Sequence, residues 1–185
     1  MSIAISPKHT TDDFPNGLRL EDKIEVFIAR VEGWHLGPAN EMVQKQISHR
    51  AFAILSIITS YFEMIAKYRD GFAAEGRSGH YFKEGLREVF PTMALPANEA
   101  ILDALYDNVR NGLYHAGMTR AGVLLTNDIS HSVGFHPADG TLVINPDILV
   151  SDLQIHFARY AAELRDPVNS GFRTNFEKRF DFDNN

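Results

Sequence analysis

The feature that most limits what this chain can become is the run from Ala39 to Arg69, which contains neither glycine nor proline and repeats apolar residues at helical spacing. Ile47, Ala51, Ile54, Ile58, Phe62 and Ile65 form one stripe, and Phe52, Leu55 and Ile57 widen it. A helix that is apolar around much of its girth belongs at the centre of a bundle. Its other side carries His49, Ser56, Ser60, Glu63 and Lys67. Two readings of that side stand: a solvated strip with a Glu63–Lys67 i,i+4 pair worth a few tenths of a kcal/mol, or a surface that meets the Arg110 patch described below.

The flanking segments fit a mainly α domain. Residues 1–20 hold Pro7, Pro15, Asn16 and Gly17 with little to bury, and are expected to be mobile or draped over the surface. Ile24, Phe27, Ile28 and Val31 predict a helix from Leu20 or Glu21, ended by Gly33, Gly37 and Pro38, with the only Trp, Trp34, as a packing anchor at its exit. Residues 71–79 read as a flexible connector, because Gly76-Arg77-Ser78-Gly79 lacks the spacing and the Lys of a P-loop. Phe82, Leu86 and Val89 predict a helix over 81–89, with Pro91 and Pro96 breaking the chain before the next helix opens at Asn98 or at Pro96-Ala97.

Beyond Gly117 the period changes. Residues 122–126, 132–135 and 141–144 are short β-prone runs, the last two joined by a turn over 136–140, which predicts a small antiparallel hairpin or three-stranded sheet. Pro146-Asp147 then opens a helix to about Leu164, packed through Ile148, Leu149, Leu153, Ile155, Phe157 and Tyr160. Phe172, Phe176, Phe180 and Phe182 must dock on the domain itself or on a neighbour, since alone they expose too much apolar area. The expected organisation is a flexible segment over 1–20, one helical domain over 21–167 with a β appendage at about 121–145, and a tail over 168–185.

The chemically unusual stretch is 102–116. Leu102, Leu105, Val109, Leu113 and Ala116 share a core-facing stripe, while the opposite face gathers Asp103, Tyr106, Asp107, Arg110, Asn111, Tyr114 and His115. Asp107, Asn111 and His115 stand at i, i+4 and i+8, within reach of one another. Arg110 and His115 lie about 140° apart around the axis, so they border one patch from two sides. A guanidinium is a permanent cation whose planar fork suits phosphate, and imidazole, with an unperturbed pKa near 6.5, both takes and gives protons at neutral pH. Together they suit phosphodiester chemistry.

Arg110-Asn111-Gly112-Leu113-Tyr114-His115 resembles the R-x(4–6)-H signature of HEPN domains, which often place a polar residue after the Arg. The likeness spans roughly residues 20–120. It implies a HEPN-like helical bundle and, in active members, a metal-independent ribonuclease in which two protomers face their Arg and His residues across one composite cleft. Some toxin-type members carry Tyr two residues after the His; this chain has Gly117 there, so control by modifying such a Tyr does not carry over. Other relatives are non-catalytic and bind nucleotides, RNA or proteins.

Composition narrows the alternatives. The absence of Cys removes disulfides, thiolate zinc sites and Cys nucleophiles. No H-x(3)-H or H-E-x-x-H pattern is present, although His115, His131 and His136 would converge if the hairpin folded over the helix end. There is no G-x-S-x-G elbow and no G-x-G-x-x-G after a strand, so neither a Ser hydrolase nor a Rossmann cofactor site is expected. The net charge of −6 requires cations to be concentrated wherever nucleic acid is held. With no secretory-type start and no uninterrupted apolar run of about 18 residues, a cytoplasmic protein without membrane contact is expected. The expected function is a homodimeric, metal-independent endoribonuclease without cofactor, leaving 2′,3′-cyclic phosphates. Arg110, His115 and Asn111 would be catalytic, and Tyr114, Tyr106, Asp107 and Glu63 substrate-binding. An antitoxin-like protein partner and a toxin–antitoxin or defence role complete that reading, with a non-catalytic binding module as the alternative.

Overall fold

In the computed structural model, which describes residues 2–94 and 98–184, the apolar stripe folds as α3 (Arg50–Asp70) at the centre of a helical bundle. Ile54, Leu55, Ile58, Tyr61, Phe62 and Ile65 are all buried. α3 has the length and mean hydropathy of a membrane span, but more than half of its most apolar stretch is packed inside the bundle.

Around it stand α1 (Leu20–Arg30), α2 (Gly37–Gln44), α4 (Ser78–Val89), α5 (Glu99–Ala104), α6 (Asn111–Ala116), α7 (Pro146–Arg165) and α8 (Ser170–Asn184). α3 and α4 form the closest helix pair: a Cβ added to Gly85 would lie 1.9 Å from the carbonyl oxygen of Phe62, so only glycine allows that approach. Phe27 of α1, Tyr68 of α3, Phe157 and Tyr160 of α7 and Phe176 of α8 interlock as one aromatic cluster.

The Phe-rich end of the chain docks on the domain itself. Phe176 and Phe180 are buried, and α8 is clamped by Lys23 to Glu177 (2.8 Å), by Arg173 to Glu21 (2.7 Å) and by the Arg179 guanidinium on the Phe72 carbonyl (2.8 Å). The N-terminal residues lie on the surface, with an isolated bridge between Ala4 and Thr10, a 3-10 turn over Thr11–Asp13, and Arg30 Nε donating to the Ile5 carbonyl at 2.6 Å.

The β appendage is a three-stranded mixed sheet, ordered β1 (Val123–Leu125), β3 (Thr141–Ile144), β2 (Val133–His136). β2 and β3 form the antiparallel hairpin, and β1 adds to β3 in parallel. Leu142 and Ile144 tie the sheet to the core. Asn145 then caps α7, its side-chain oxygen accepting from the amides of Asp147 and Ile148, as expected of an N-cap Asn before Pro.

Several local expectations are corrected. Gly33, Gly37 and Pro38 do not end the first helix: the chain passes through a π-helical turn, Val31–Leu36, straight into α2. That turn needs Gly37, where a Cβ would come within 2.5 Å of the Glu32 carbonyl oxygen. Pro38 is tolerated because it sits in the first turn of α2. The run from Ala39 to Arg69 is two helices, broken between Gln44 and Arg50, where Gln46 and His49 take left-handed backbone conformations. Trp34 is 52% exposed rather than a packing anchor, and Ile47, Phe52, Ala116 and Ile155 also face outward. Asn98 occupies the N-cap position of α5; the alternative opening at Pro96-Ala97 lies outside the described residues.

Candidate functional site

The stretch from Glu99 to Ala116 is a nearly continuous helix, but its middle, Leu105–Arg110, winds as a second π turn. Such turns recur at functional sites. Within this turn the Asn108 carbonyl accepts the amide of Arg120 at 2.8 Å. Gly117, with φ +70°, closes α6 in the left-handed conformation and sends the chain back over Gly112, where a Cβ would meet the Met118 carbonyl oxygen at 2.7 Å. Glycine inside the R-N-G-L-Y-H string is therefore a packing requirement that fixes the helix end carrying Arg110 and His115.

Arg110 is held from three directions. One Nη donates to Glu63 Oε2 at 3.3 Å and the other to Asn111 Oδ1 at 3.1 Å, while the guanidinium carbon stands 4.7 Å from the Tyr114 ring centroid and 5.8 Å from that of Tyr106. Cation–π contacts of this kind are worth about 0.5–1 kcal/mol at exposed sites. Asn111 passes the chain on, its Nδ2 donating to Asp107 Oδ1 at 3.3 Å. Glu63, Arg110, Asn111 and Asp107 thus form one hydrogen-bonded line, with Tyr106 and Tyr114 flanking it. Arg110 and Tyr114 also line a cavity of about 310 Å³ together with Ser56, Thr59, Ser60, Glu63 and Leu113.

His115 stands outside that line. It is exposed, with its ring edge-on to Tyr114 at 5.0 Å. The i+8 end of the expected ladder is not made: the Asn111 amide serves Asp107 and Arg110, so Asn111 orients the guanidinium and not the imidazole. His115, His131 and His136 do not assemble either, since among the described residues no three His, Asp or Glu side chains converge as a metal site.

The outer strip of α3 meets the Arg110 patch through Glu63, while Ser56 and Ser60 remain exposed. Glu63 accepts from Lys67 Nζ at 2.7 Å, from Ser78 Oγ at 2.9 Å and from Arg110, and Lys67 itself is buried. Burial opposes the charge on Glu63, but the hydrogen bonds from Lys67 and Ser78 and the positive charges of Lys67 and Arg110 outweigh it and hold its pKa below the usual carboxylate value. Its stabilising contribution is therefore complete above the unfolded-state pKa, near 4.3, and is lost as pH falls through the lower folded-state value. Glu63→Gln is expected to lower stability at pH 7 by about 1.5–3 kcal/mol, the range for hydrogen bonds to charged groups. Thermal melts across pH should show the gap between the variant and the wild type narrowing in acid.

A larger cavity, about 780 Å³, opens beside Arg69, Arg77, Tyr81 and Arg87. Its cations are engaged: Arg69 by Glu88 and Glu163, Arg87 by Glu84 and Glu99, and Arg77 over the rings of Phe72 and Tyr81. The Arg110 surface is the better candidate because its guanidinium lines a hydroxyl-lined hollow beside Tyr114, whose ring stands edge-on to the exposed imidazole of His115. The sequence reading that the outer strip of α3 meets the Arg110 patch already named Ser56, Ser60, Glu63 and Lys67; it missed Thr59, which lines the hollow, and Ser78, which donates to Glu63, and no local spacing signalled either. Compared with models of known protein families, with curated proteins and with solved structures, the chain matches none.

Proposed function

We propose that the chain is a metal-independent endoribonuclease of HEPN type, acting as a homodimer whose site combines residues from two copies. The observation that supports this reading most is that Arg110 and Tyr114 line one hydroxyl-lined hollow, with the exposed His115 ring against Tyr114. In this reading the His115 imidazole takes the proton of a ribose 2′-hydroxyl or protonates the leaving 5′-oxygen. The 2′-oxygen attacks the adjacent phosphorus, the bond to the 5′-oxygen breaks, and the products are a 2′,3′-cyclic phosphate and a 5′-hydroxyl. Arg110 neutralises charge growing on the phosphoryl oxygens, steered by Asn111 and released from Glu63 when phosphate competes for its fork. Tyr114 or Tyr106 stacks on an unpaired base. One copy offers one imidazole, and a twofold axis supplies the second proton carrier.

Arg110→Ala should lower kcat for a single-stranded RNA by about 10²–10³, the usual loss when one charge-stabilising donor is removed. A loss of affinity alone, with kcat unchanged in single-turnover assays, would favour the second reading, a non-catalytic module that binds nucleotide, RNA or protein through the same face. The observation favouring that module is the Glu63 carboxylate, which already compensates Arg110 at 3.3 Å.

A further inference from the structure

Three hollows open side by side on the outer strip of α3, and Ser60 lines all of them. The first, about 310 Å³, lies under Arg110 and Tyr114; the second, about 280 Å³, lies against Glu63, Lys67 and Arg179; the third, about 470 Å³, lies under Trp34, Met64 and Tyr68. They adjoin as a groove through shared walls, Glu63 between the first and second and Met64, Tyr68 and Asp183 between the second and third, with the Asp183 carboxylate engaged by Arg179. From Ser56 to Lys67 the strip rises about 16 Å, at about 1.5 Å per residue.

A π turn stands at each end of the groove. The turn over Leu105–Arg110 presents Arg110 to Glu63, and the turn over Val31–Leu36 presents His35, whose Nε2 hydrogen-bonds the Ile57 carbonyl at 2.6 Å and stands 3.1 Å from Ser60 Oγ. Pinning His35 to α3 leaves its neighbour Trp34 standing half-exposed at the far end of the groove. Arg30 lines that same end, and its guanidinium is bonded to neutral oxygens, the Ile5 carbonyl and Asn184 Oδ1.

We infer that this groove seats the RNA strand on one side of the scissile phosphate, with Trp34 as the platform on which an unpaired base stacks; this rests on the ribonuclease reading above. An exposed aromatic ring and a cation line each end of the groove, Tyr114 and Arg110 at one and Trp34 and Arg30 at the other, and the Ser60 hydroxyl lies between them. That alternation suits a flexible polynucleotide, whose bases offer π faces and whose phosphates accept from cations. The floor is unsuited to an amphipathic helix, which needs an apolar stripe and would meet Ser56, Ser60, Glu63 and Lys67. Duplex RNA keeps its bases stacked on one another and leaves none for Trp34.

Trp34 is the only tryptophan, so the fluorescence of the full chain reports on this end of the groove alone. Titration with a single-stranded oligouridylate carrying 2′-O-methyl groups throughout, which cannot be cleaved, should quench it saturably, and a duplex of the same length should not. Anisotropy of the labelled strand should give a dissociation constant weaker by roughly 5- to 150-fold for Trp34→Ala, the range for one lost base–aromatic stack. Trp34→Phe should restore most of the affinity. Strand binding without quenching, equal affinity in Trp34→Ala, equal quenching by duplex, or fluorescence that changes with protein concentration alone, as when a second copy covers Trp34, would each overturn the inference. Quenching without any cleavage of unmodified RNA would uphold the groove and remove the nuclease; cleavage lost in His115→Ala with Trp34 silent would do the reverse.

Discussion

His115→Ala is expected to reduce cleavage of single-stranded RNA by about 10²–10⁴-fold, the contribution of one positioned general acid or base, while leaving the melting temperature unchanged. The two halves of that expectation come from the same geometry. His115 is exposed on the last turn of α6 and touches only the Tyr114 ring edge among the described aromatic residues, so little packing is lost with its ring. An imidazole left out of the Glu63–Arg110–Asn111–Asp107 line is the group still available for proton transfer. Activity assays beside calorimetry would check both halves. A large loss of stability would make His115 a structural residue, and unchanged cleavage would remove it from the site.

Gly85→Ala should destabilise the fold by about 3 kcal/mol or more, at the upper end of overpacking effects. The added methyl would sit 1.9 Å from the Phe62 carbonyl oxygen and 2.4 Å from its carbon, and backbone cannot swing aside as a side chain can. Relief requires α3 and α4 to separate, which opens the packing of Phe62 on Phe82 (centroids 5.5 Å apart) and shifts Ser78 away from Glu63. At about 2–4 °C per kcal/mol for a domain of this size, calorimetry should record a fall of roughly 6–12 °C. A melting temperature within 2 °C of wild type would mean the two helices are farther apart than described.

The helical stripes were legible because burial imposes a 3.6-residue period that side chains must obey, as the buried series from Ile54 to Ile65 illustrates. The β appendage was legible from its change of period, down to the turn over 136–140, but parallel addition of β1 to β3 depends on a return path that no local pattern encodes. The break at 45–49 was hidden because Gln46 and His49, not Gly or Pro, take the left-handed conformations there. The two π turns were hidden for a related reason: one extra residue per turn still leaves Val31, Leu36, Leu105 and Val109 facing inward. At the site, R-N-G-L-Y-H was readable as a string, and so was the contact of Asp107 with Asn111. Whether Glu63 would meet Arg110 across 47 positions was not, because that contact depends on how α3 and α6 pack. Trp34 was misjudged since a π turn, invisible in the spacing, turns it outward.

The most direct measurement is end-group analysis of single-stranded RNA incubated with the wild-type chain in excess EDTA. The account predicts cleavage undiminished by the chelator, leaving 2′,3′-cyclic phosphate and 5′-hydroxyl ends. Cleavage abolished by EDTA, cleavage leaving 5′-phosphates, or intact RNA throughout would contradict it.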